Sequence, residues 1–345
     1  MTNIRPEADN LPSRTAERQV TAASDSLPYM SAEEAVQLSG TILEQRLKRA
    51  PSLIKPYSSY LAASRGKGIR AHSLVLSAMN NEGLIREDAA TFAAAIELLH
   101  LATLVHDDVM DDADYRRGDE TLSKRYGARV AVITGDYLLA DVLTMMAEAA
   151  EKAQYDELAK PSFLTRYMTR IALGELRQTM FNGNFKIGTS DYLRIIAGKT
   201  AALFELSFLT GAIIATKDKR QHDLYRKIGR CVGMVFQITD DCMDYESTLK
   251  NAGKNVQNDY EQQVFTLPLI YAMDEDQDLQ KDIADGRVDA AHVAARVRDT
   301  KSIDRTRRLA KRYQQKALKA IEKLEASEDK RNRLIEIVEL SYRIF

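Results

Sequence analysis

Two aspartate motifs of the same form, each at the end of a long apolar stretch, constrain the fold of this chain more than any other feature. The first is DDVMD at residues 107–111, and the second is DDCMD at residues 240–244. The preceding stretches, 89–109 and 224–243, contain no proline and are largely apolar, which predicts two central, buried helices. Residues four apart share one face of a helix, so each motif places its first and last carboxylates side by side.

These paired carboxylates predict a metal-dependent diphosphate site. Two carboxylates about 4 Å apart repel each other by roughly 4 kcal/mol at an effective dielectric of ~20. A divalent cation with oxygen ligands removes that cost, and Mg²⁺ commonly joins one or two carboxylates to substrate phosphates. Arg116 and Arg117 follow the first motif, and their planar forks suit phosphate oxygens. A single motif of this kind is often only solvated charge, but two copies beside paired arginines indicate a diphosphate bridged by metal ions.

Basic residues beside glycines add a second kind of phosphate contact. Lys67 and Arg70 lie in a glycine-containing break, and Lys199 and Lys254 each follow a glycine. Each signal is weak alone, because surface lysines are usually solvated. Together with the aspartates they predict one diphosphate held through metals and another held directly by cations.

Composition and charge argue against several other classes of protein. The formal net charge of −1 gives no overall basic field for nucleic acid. No stretch approaches 18 uninterrupted apolar residues, so a membrane span is not expected, and the N-terminus lacks the apolar core of a signal peptide. Cys231 and Cys242 lie too far apart along one helix for a disulfide. We therefore expect a cytoplasmic protein with at most peripheral membrane contact.

The chain is organised as a short tail followed by one helical domain. Residues 1–30 are polar, with three prolines and no apolar periodicity, which predicts a flexible tail. Residues 31–345 follow a helical pattern that opens with a capping box, in which Glu34 lies three positions after Ser31. The charged segment 311–340 is interpreted as a solvated helical layer or a dimer contact. A membrane-surface helix is the weaker alternative there, because the polar face of the segment is not strongly basic.

With these motifs in order, the chain resembles the trans-isoprenyl diphosphate synthase (polyprenyl synthetase) family, in particular its long-chain members that make hexa-, hepta-, octaprenyl and longer products. The matching features are Gly66-Lys67-x-x-Arg70, Glu97-Leu98-Leu99-His100, the first aspartate motif with Arg116-Arg117-Gly118, Gly135-Asp136-Tyr137-Leu138, Gly174-Glu175-x-x-Gln178, Lys199-Thr200, Gln237 with the second aspartate motif, Gly253-Lys254-Asn255-Val256 and Thr266-Leu267-Pro268. The resemblance implies an all-α fold, a single large helical bundle around a deep central cavity (the isoprenoid synthase type I fold), with the aspartates at its mouth.

The resemblance also implies roles for individual residues. The ligands of two or three Mg²⁺ ions on the allylic diphosphate would be Asp107, Asp108, Asp111, Asp240, Asp241 and Asp244. The contacts to the allylic substrate would be Arg116, Lys199, Thr200, Gln237 and Lys254. The contacts to the diphosphate of isopentenyl diphosphate would be Lys67, Arg70, His100 and Arg117. Of these, the residues expected to act in catalysis are Asp107, Asp108, Asp111, Arg116, Lys199, Asp240 and Asp241.

The departures from the family pattern fall in phosphate-binding segments. Arg65 replaces the first glycine of the usual pair, and Ala71 stands where proline is common. Gln257-Asn258 replace a frequent Gly-Asp, and Val264 occupies a position where a second lysine is common. These changes leave the details of the allylic site open, but they do not change the reaction that the resemblance implies.

The reaction implied is condensation of an allylic diphosphate with isopentenyl diphosphate, and its product length is predicted from one helical turn. In the family, bulky residues just before the first motif stop chain growth, whereas Ala102 and Thr103 are small. We therefore expect an all-trans product longer than C20, of the type used for quinone side chains. Leu99, Leu98 and Ile96 could form a lower floor, which leaves a short-chain (C15–C20) synthase as an alternative.

Three further alternatives differ in class. The chain could be the catalytic subunit of a heteromeric synthase that is inactive without a small regulatory partner, although the family usually forms homodimers. A terpene cyclase would use the aspartates but would leave Lys67, Arg70 and Arg117 without a purpose. A di-iron bundle needs two Glu-x-x-His pairs, and the sequence offers only the pair of Glu97 and His100.

Overall fold

The computed structural model describes residues 28–63, 66–246 and 262–343. These residues form fifteen α-helices and four strands of two residues each, so the prediction of an all-α fold is confirmed. The helices are α1 (Ala32–Lys48), α2 (Lys55–Leu61), α3 (Ile69–Ala78), α4 (Asp88–Met110), α5 (Leu122–Tyr126), α6 (Ala128–Lys152), α7 (Pro161–Phe181), α8 (Thr189–Lys199), α9 (Ala201–Ala215), α10 (Lys219–Glu246), α11 (Leu267–Glu275), α12 (Gln277–Ala284), α13 (Ala290–Asp299), α14 (Ser302–Ile321) and α15 (Glu328–Arg343). The strands are β1 (Tyr29–Met30), β2 (Ile85–Arg86), β3 (Tyr115–Arg116) and β4 (Asp119–Glu120).

Helix α9 lies at the centre of the bundle, because its residues from Ala201 to Ile214 are all buried. It packs against α3 on one side and α10 on the other. Glycines allow these close approaches: a Cβ at Gly211 would lie 2.2 Å from the carbonyl oxygen of Leu74, and one at Gly233 would lie 2.5 Å from the Cα of Ala201. The two motif-bearing helices, α4 and α10, therefore stand on a tightly packed interior that fixes their ends.

The N-terminal boundary of the folded region lies slightly earlier than the sequence suggests. Strand β1 pairs antiparallel with β2, so Tyr29 and Met30 are part of the folded unit, whereas the predicted tail extended to residue 30. Residues 1–27 of that tail lie outside the described residues. The predicted capping box of α1 is present, with Ser31 Oγ accepting from Glu34 N at 3.2 Å and Glu34 Oε2 accepting from Ser31 N at 2.8 Å.

Among the described residues, two single helices are long and apolar enough to cross a bilayer by length and composition alone, namely α4 and α6. In α4, 61% of the apolar window is buried inside the protein, and its alanine-rich first half packs against neighbouring helices. In α6 only 39% is buried, so much of its apolar surface faces outward. Core packing accounts for the apolar character of α4, and the outer face of α6 calls for a separate explanation.

Candidate active site

The first aspartate motif ends α4 and divides its carboxylates between two environments. Asp107 and Asp111 are partly exposed on one face of the helix, whereas Asp108 is 6% exposed. Arg116 Nε donates to Asp108 Oδ1 at 2.6 Å from strand β3. Burial raises the pKa of Asp107 to about 7, against the attraction of Lys199. Asp107 and Asp111 are therefore the pair in this motif that faces solvent and any added cation.

The second motif ends α10 and repeats this division. Asp240 is exposed and Asp244 is partly exposed, whereas Asp241 is 4% exposed. Tyr192 donates its hydroxyl to Asp241 Oδ2 at 2.5 Å, and Gln237 Nε2 donates to Asp241 Oδ1 at 2.8 Å. Burial raises the pKa of Asp241 to about 7. Asp240 has access to solvent, but partial desolvation by the neighbouring residues and then repulsion from Asp244 raise its pKa to about 6.

A bend between α8 and α9 brings Lys199 and Thr200 to the second motif. The two helices meet at 46°, and Thr200 Oγ1 at the bend donates to Gln237 Oε1 at 2.8 Å. Helix α7 crosses this bend so closely that a Cβ at Gly174 would lie 2.3 Å from the backbone nitrogen of Lys199. The neighbouring Glu175 accepts a hydrogen bond from Lys199 Nζ at 2.8 Å. The glycine at this crossing thus fixes the position of the lysine.

Both aspartate motifs line one cavity of about 210 Å³. Its polar lining includes four motif aspartates, two residues at the bend and side chains of α7, α8 and α10, namely Asp111, Asp240, Asp241, Asp244, Lys199, Thr200, Gln178, Tyr192 and Gln237. Val264 also lines the cavity, so the position where the family often has lysine contributes an apolar wall here. Gln262 Nε2 donates to the backbone oxygen of Asp111 at 2.9 Å and ties the two sides together.

A second group of cations lies on the other side of the first motif. Arg70 stacks over the ring of Phe204 at 4.7 Å, and its buried Nε has no hydrogen-bond partner among the described residues. Burial lowers the pKa of Arg70 to about 10, although Glu97 opposes this. The pKa of His100 lies well below its ordinary value, mainly because the side chain is buried and also because the positive charges of Arg70 and Arg117 are near. The imidazole is therefore neutral. A buried arginine donor without a partner is a suitable site for an anion.

The turn of the β3–β4 hairpin aims Arg117 at this second group. Arg117 has φ 54° and Gly118 has φ 92°, the left-handed pair that two-residue hairpins favour. The guanidinium of Arg117 lies against Gly66, where a Cβ would be 2.9 Å from Nη1. Arg116 and Arg117, adjacent in sequence, therefore point to different partners, Asp108 and the segment that contains Lys67.

Most of the predicted site residues are thus close together, but some are not placed. Lys254 lies outside the described residues, as do Arg65 and Gln257-Asn258. Ala102 is fully buried and Thr103 donates to the backbone oxygen of His100 at 2.8 Å, and neither lines the 210 Å³ cavity. Sequence reasoning missed Tyr192, whose only signal is its place two helical turns before Lys199, and it missed Gln262.

The donor set fits Mg²⁺ shared with a phosphate better than a metal held by protein alone. Across residues 28–63, 66–246 and 262–343, no three His, Cys, Asp or Glu side chains are arranged to hold one ion. The partly exposed pairs of carboxylates offer one or two oxygens each, which is the usual protein share of a Mg²⁺ site completed by substrate phosphate. Burial and mutual repulsion of Asp240 and Asp244 are the costs that such an ion removes.

The fold and site together define an all-α protein in which two aspartate motifs converge on one cavity. Residues 51–300 match the polyprenyl synthetase family. The chain is 30% identical to octaprenyl diphosphate synthase of Haemophilus influenzae over 91% of this chain and 95% of that protein. It is 36% identical to heptaprenyl diphosphate synthase component 2 of Bacillus subtilis, over 67% of this chain and 64% of that protein.

A solved structure agrees with the sequence comparison. Heptaprenyl diphosphate synthase from Staphylococcus aureus superposes with a TM-score of 0.81 at 30% identity, covering 91% of this chain and 98% of that one. The chain belongs to the polyprenyl synthetase family, and the family resemblance drawn from its motifs is confirmed.

Proposed function

We propose that this protein condenses an allylic diphosphate with isopentenyl diphosphate in the cytoplasm to make an all-trans polyprenyl diphosphate longer than C20. The observation that carries the proposal is the single cavity on which both aspartate motifs converge, with Lys199, Thr200 and Gln237 between them. The separate group of Arg70, His100 and Arg117 supplies a second anion site, which condensation of two diphosphates requires.

In this mechanism the protein binds and orients the two substrates and excludes water from them, and no protein nucleophile is needed. Mg²⁺, held by Asp107 and Asp111 and by Asp240 and Asp244, would supply Lewis acidity toward the leaving diphosphate. Lys199 would add fixed positive charge beside the departing oxygen. Arg70 and Arg117 would hold isopentenyl diphosphate so that its double bond attacks the allylic carbon as the C–O bond breaks. The proton lost from the adduct passes to the released diphosphate.

Two observations support a long product. The relatives named above include octaprenyl and heptaprenyl diphosphate synthases. The helical turn before the first motif carries Ala102 and Thr103, neither of which blocks growth as an aromatic residue would. We assign the elongation pocket to this turn, and we assign the product to chains of the quinone side-chain type.

A second candidate is a catalytic subunit that needs a small partner. The observation that favours it is the similarity to a protein named as component 2 of a heptaprenyl diphosphate synthase, a name that denotes one part of an assembly. In either case the full set of motifs supports a catalytic role for this chain.

The test uses the purified chain alone with Mg²⁺, isopentenyl diphosphate and farnesyl diphosphate, with product lengths read by mass spectrometry. We expect a ladder that ends beyond C20. Asp240→Asn should lower kcat by about 10²-fold or more, because one preorganised electrostatic contact is worth that much. It should not lower the melting temperature, since repulsion from Asp244 already disfavours the charge on Asp240. The exposed Asp278→Asn is the matched control and should retain activity.

Other outcomes separate the alternatives. Termination at C15 or C20 would establish a short-chain synthase and contradict the pocket assignment. No product, with both substrates bound, would favour the subunit that needs a partner. Unchanged turnover in Asp240→Asn would contradict the proposed site.

A further inference from the structure

Helix α14 presents a stripe of basic residues along one exposed face. Its members are Arg308, Arg312, Lys316 and Lys319 of the helix and Lys323 just after its end, all of them exposed. Their spacing of three or four residues places them on one side of the helix. The opposite side carries the buried alanines Ala310, Ala317 and Ala320, which pack on the core.

Helix α10 extends this stripe sideways. Lys227 and Arg230 are exposed on α10, which packs against α14. The thiol of Cys231 lies in the electrostatic field of Lys316, Lys227 and Arg230, so the charges of the two helices are neighbours. The basic ridge is defined here as the seven residues Lys227, Arg230, Arg308, Arg312, Lys316, Lys319 and Lys323.

Within the described residues, the charges of the ridge are not paired with carboxylates. Within the described part of the chain, none of its seven cations lies within 4.0 Å of a carboxylate oxygen. Two other cations on α14 are paired: Arg305 Nη1 lies 3.6 Å from Asp274, and Arg307 binds Glu246. Like charges one helical turn apart destabilise a helix. The acidic residues one turn from the row, Asp304 before Arg308 and Glu322 after Lys319, lie near its two ends.

Charge segregation explains why this surface was not visible in the sequence. The segment 311–340 contains both signs, and its polar face was therefore interpreted as mixed. In the fold, the acidic residues of this segment lie beyond the last residue of α14, Ile321: Glu322 and Glu325 follow its end, and Glu328, Asp329 and Glu336 belong to the separate helix α15. The net charge of the whole chain is −1, so a ridge of seven cations leaves the remainder acidic.

We propose that the basic ridge docks this protein on an anionic lipid bilayer. The choice of occupant rests on the proposed function, because a polyprenyl chain longer than C20 is insoluble in water and has to pass into a bilayer to be used. From Arg308 to Lys323 the ridge runs roughly 22 Å, at 1.5 Å per residue. A straight row of long, flexible cations suits a flat sheet of phosphate headgroups, and the attraction grows with each Lys or Arg that reaches it.

The experiment measures flotation of the full chain with vesicles of phosphatidylcholine and with vesicles that also contain phosphatidylglycerol. We expect binding to the anionic vesicles only, weakening as salt screens the charges. The triple variant Arg312→Glu, Lys316→Glu, Lys319→Glu should bind at least tenfold more weakly. The matched control is Lys55→Glu, Lys152→Glu, Lys160→Glu, three exposed lysines on or beside α2, α6 and α7 that change the net charge equally. This control should retain most of the binding.

Vesicle binding needs no turnover, so its result is separate from the test of the proposed function. Circular dichroism checks that both triple variants fold, and solution assays with farnesyl diphosphate should give both the parental kcat. Equal loss of binding in the two variants, or equal binding of the parent to neutral vesicles, would overturn the proposal. Binding of RNA through the ridge with no binding to vesicles would also overturn it, in favour of a nucleic-acid partner.

Discussion

At the scale of single residues, the two carboxylate oxygens of Asp241 are the most constrained acceptors in the site. Tyr192 and Gln237 each donate to one of them, so Asp241 is held in one orientation beside Asp240. Tyr192 lines the cavity, and the partner of its hydroxyl is the carboxylate of Asp241. We therefore interpret it as a positioning residue, which acts on the metal site through Asp241.

Replacement of Tyr192 by Phe tests this role, because it removes the hydrogen bond and keeps the ring. We expect Mn²⁺ or Mg²⁺ binding in the presence of diphosphate to weaken by about 10-fold, the lower end of the usual effect of groups that orient metal ligands. Calorimetric titration measures the binding without turnover. Tyr225→Phe removes another buried hydroxyl and serves as control. Unchanged metal affinity in Tyr192→Phe would leave that hydroxyl with a purely structural role.

The residue scale also shows what a sequence can reveal about such a site. The pairing of Asp107 with Asp111 follows from helical spacing, so it could be predicted without a structure. The separate environments of Asp108 and Asp241 could not, because each depends on a partner from another element: Arg116 of a two-residue strand and Tyr192, 49 positions away.

At the scale of elements, the long helices could be predicted from the sequence because their apolar residues recur periodically. The β3–β4 hairpin could not be predicted in this way. Each of its strands has two residues, too few for any alternation to be visible. Its effect on function is nevertheless large, since the positive φ of Arg117 sends two adjacent arginines to opposite sides of the first motif. The bend at Thr200 is another such feature, because it arises where α7 crosses rather than from a local breaker.

Helix α4 carries the prediction on product length. Ala102 is fully buried one turn before the motif, so Ala102→Phe should fill the proposed elongation pocket and shorten the product. Overpacking of this kind costs about 1–3 kcal/mol, so the melting temperature should fall modestly. Ala317→Phe introduces the same strain at an equally buried alanine on α14 and should leave product length unchanged. Mass spectrometry measures the product lengths of both variants. An unaltered series of product lengths in Ala102→Phe would contradict the pocket assignment.

At the scale of the whole molecule, the outward surfaces of α6 and α7 remain to be explained. Apolar side chains on these two helices are well exposed, namely Val132, Ile133, Leu143, Leu173, Leu176 and Met180. Those of α7 recur at three- and four-residue spacing, which makes one continuous apolar face. Neither the composition nor the periodicity of the sequence indicates what covers such a face. We propose that a second copy of the chain does so, as expected from the resemblance to a family of homodimers.

A charge placed on this face should separate the two copies. Met180 is 71% exposed and Leu176 is 55% exposed, so Leu176→Glu with Met180→Glu adds two carboxylates at little cost to the folded subunit. Burying them at an interface would cost far more, and we expect light scattering to show a dimer for the parent and a monomer for the variant. Leu53→Glu, at a site 88% exposed on a loop, should stay dimeric. A parent that is monomeric and inactive alone would instead assign the face to a different subunit, because the apolar surface would still need a partner.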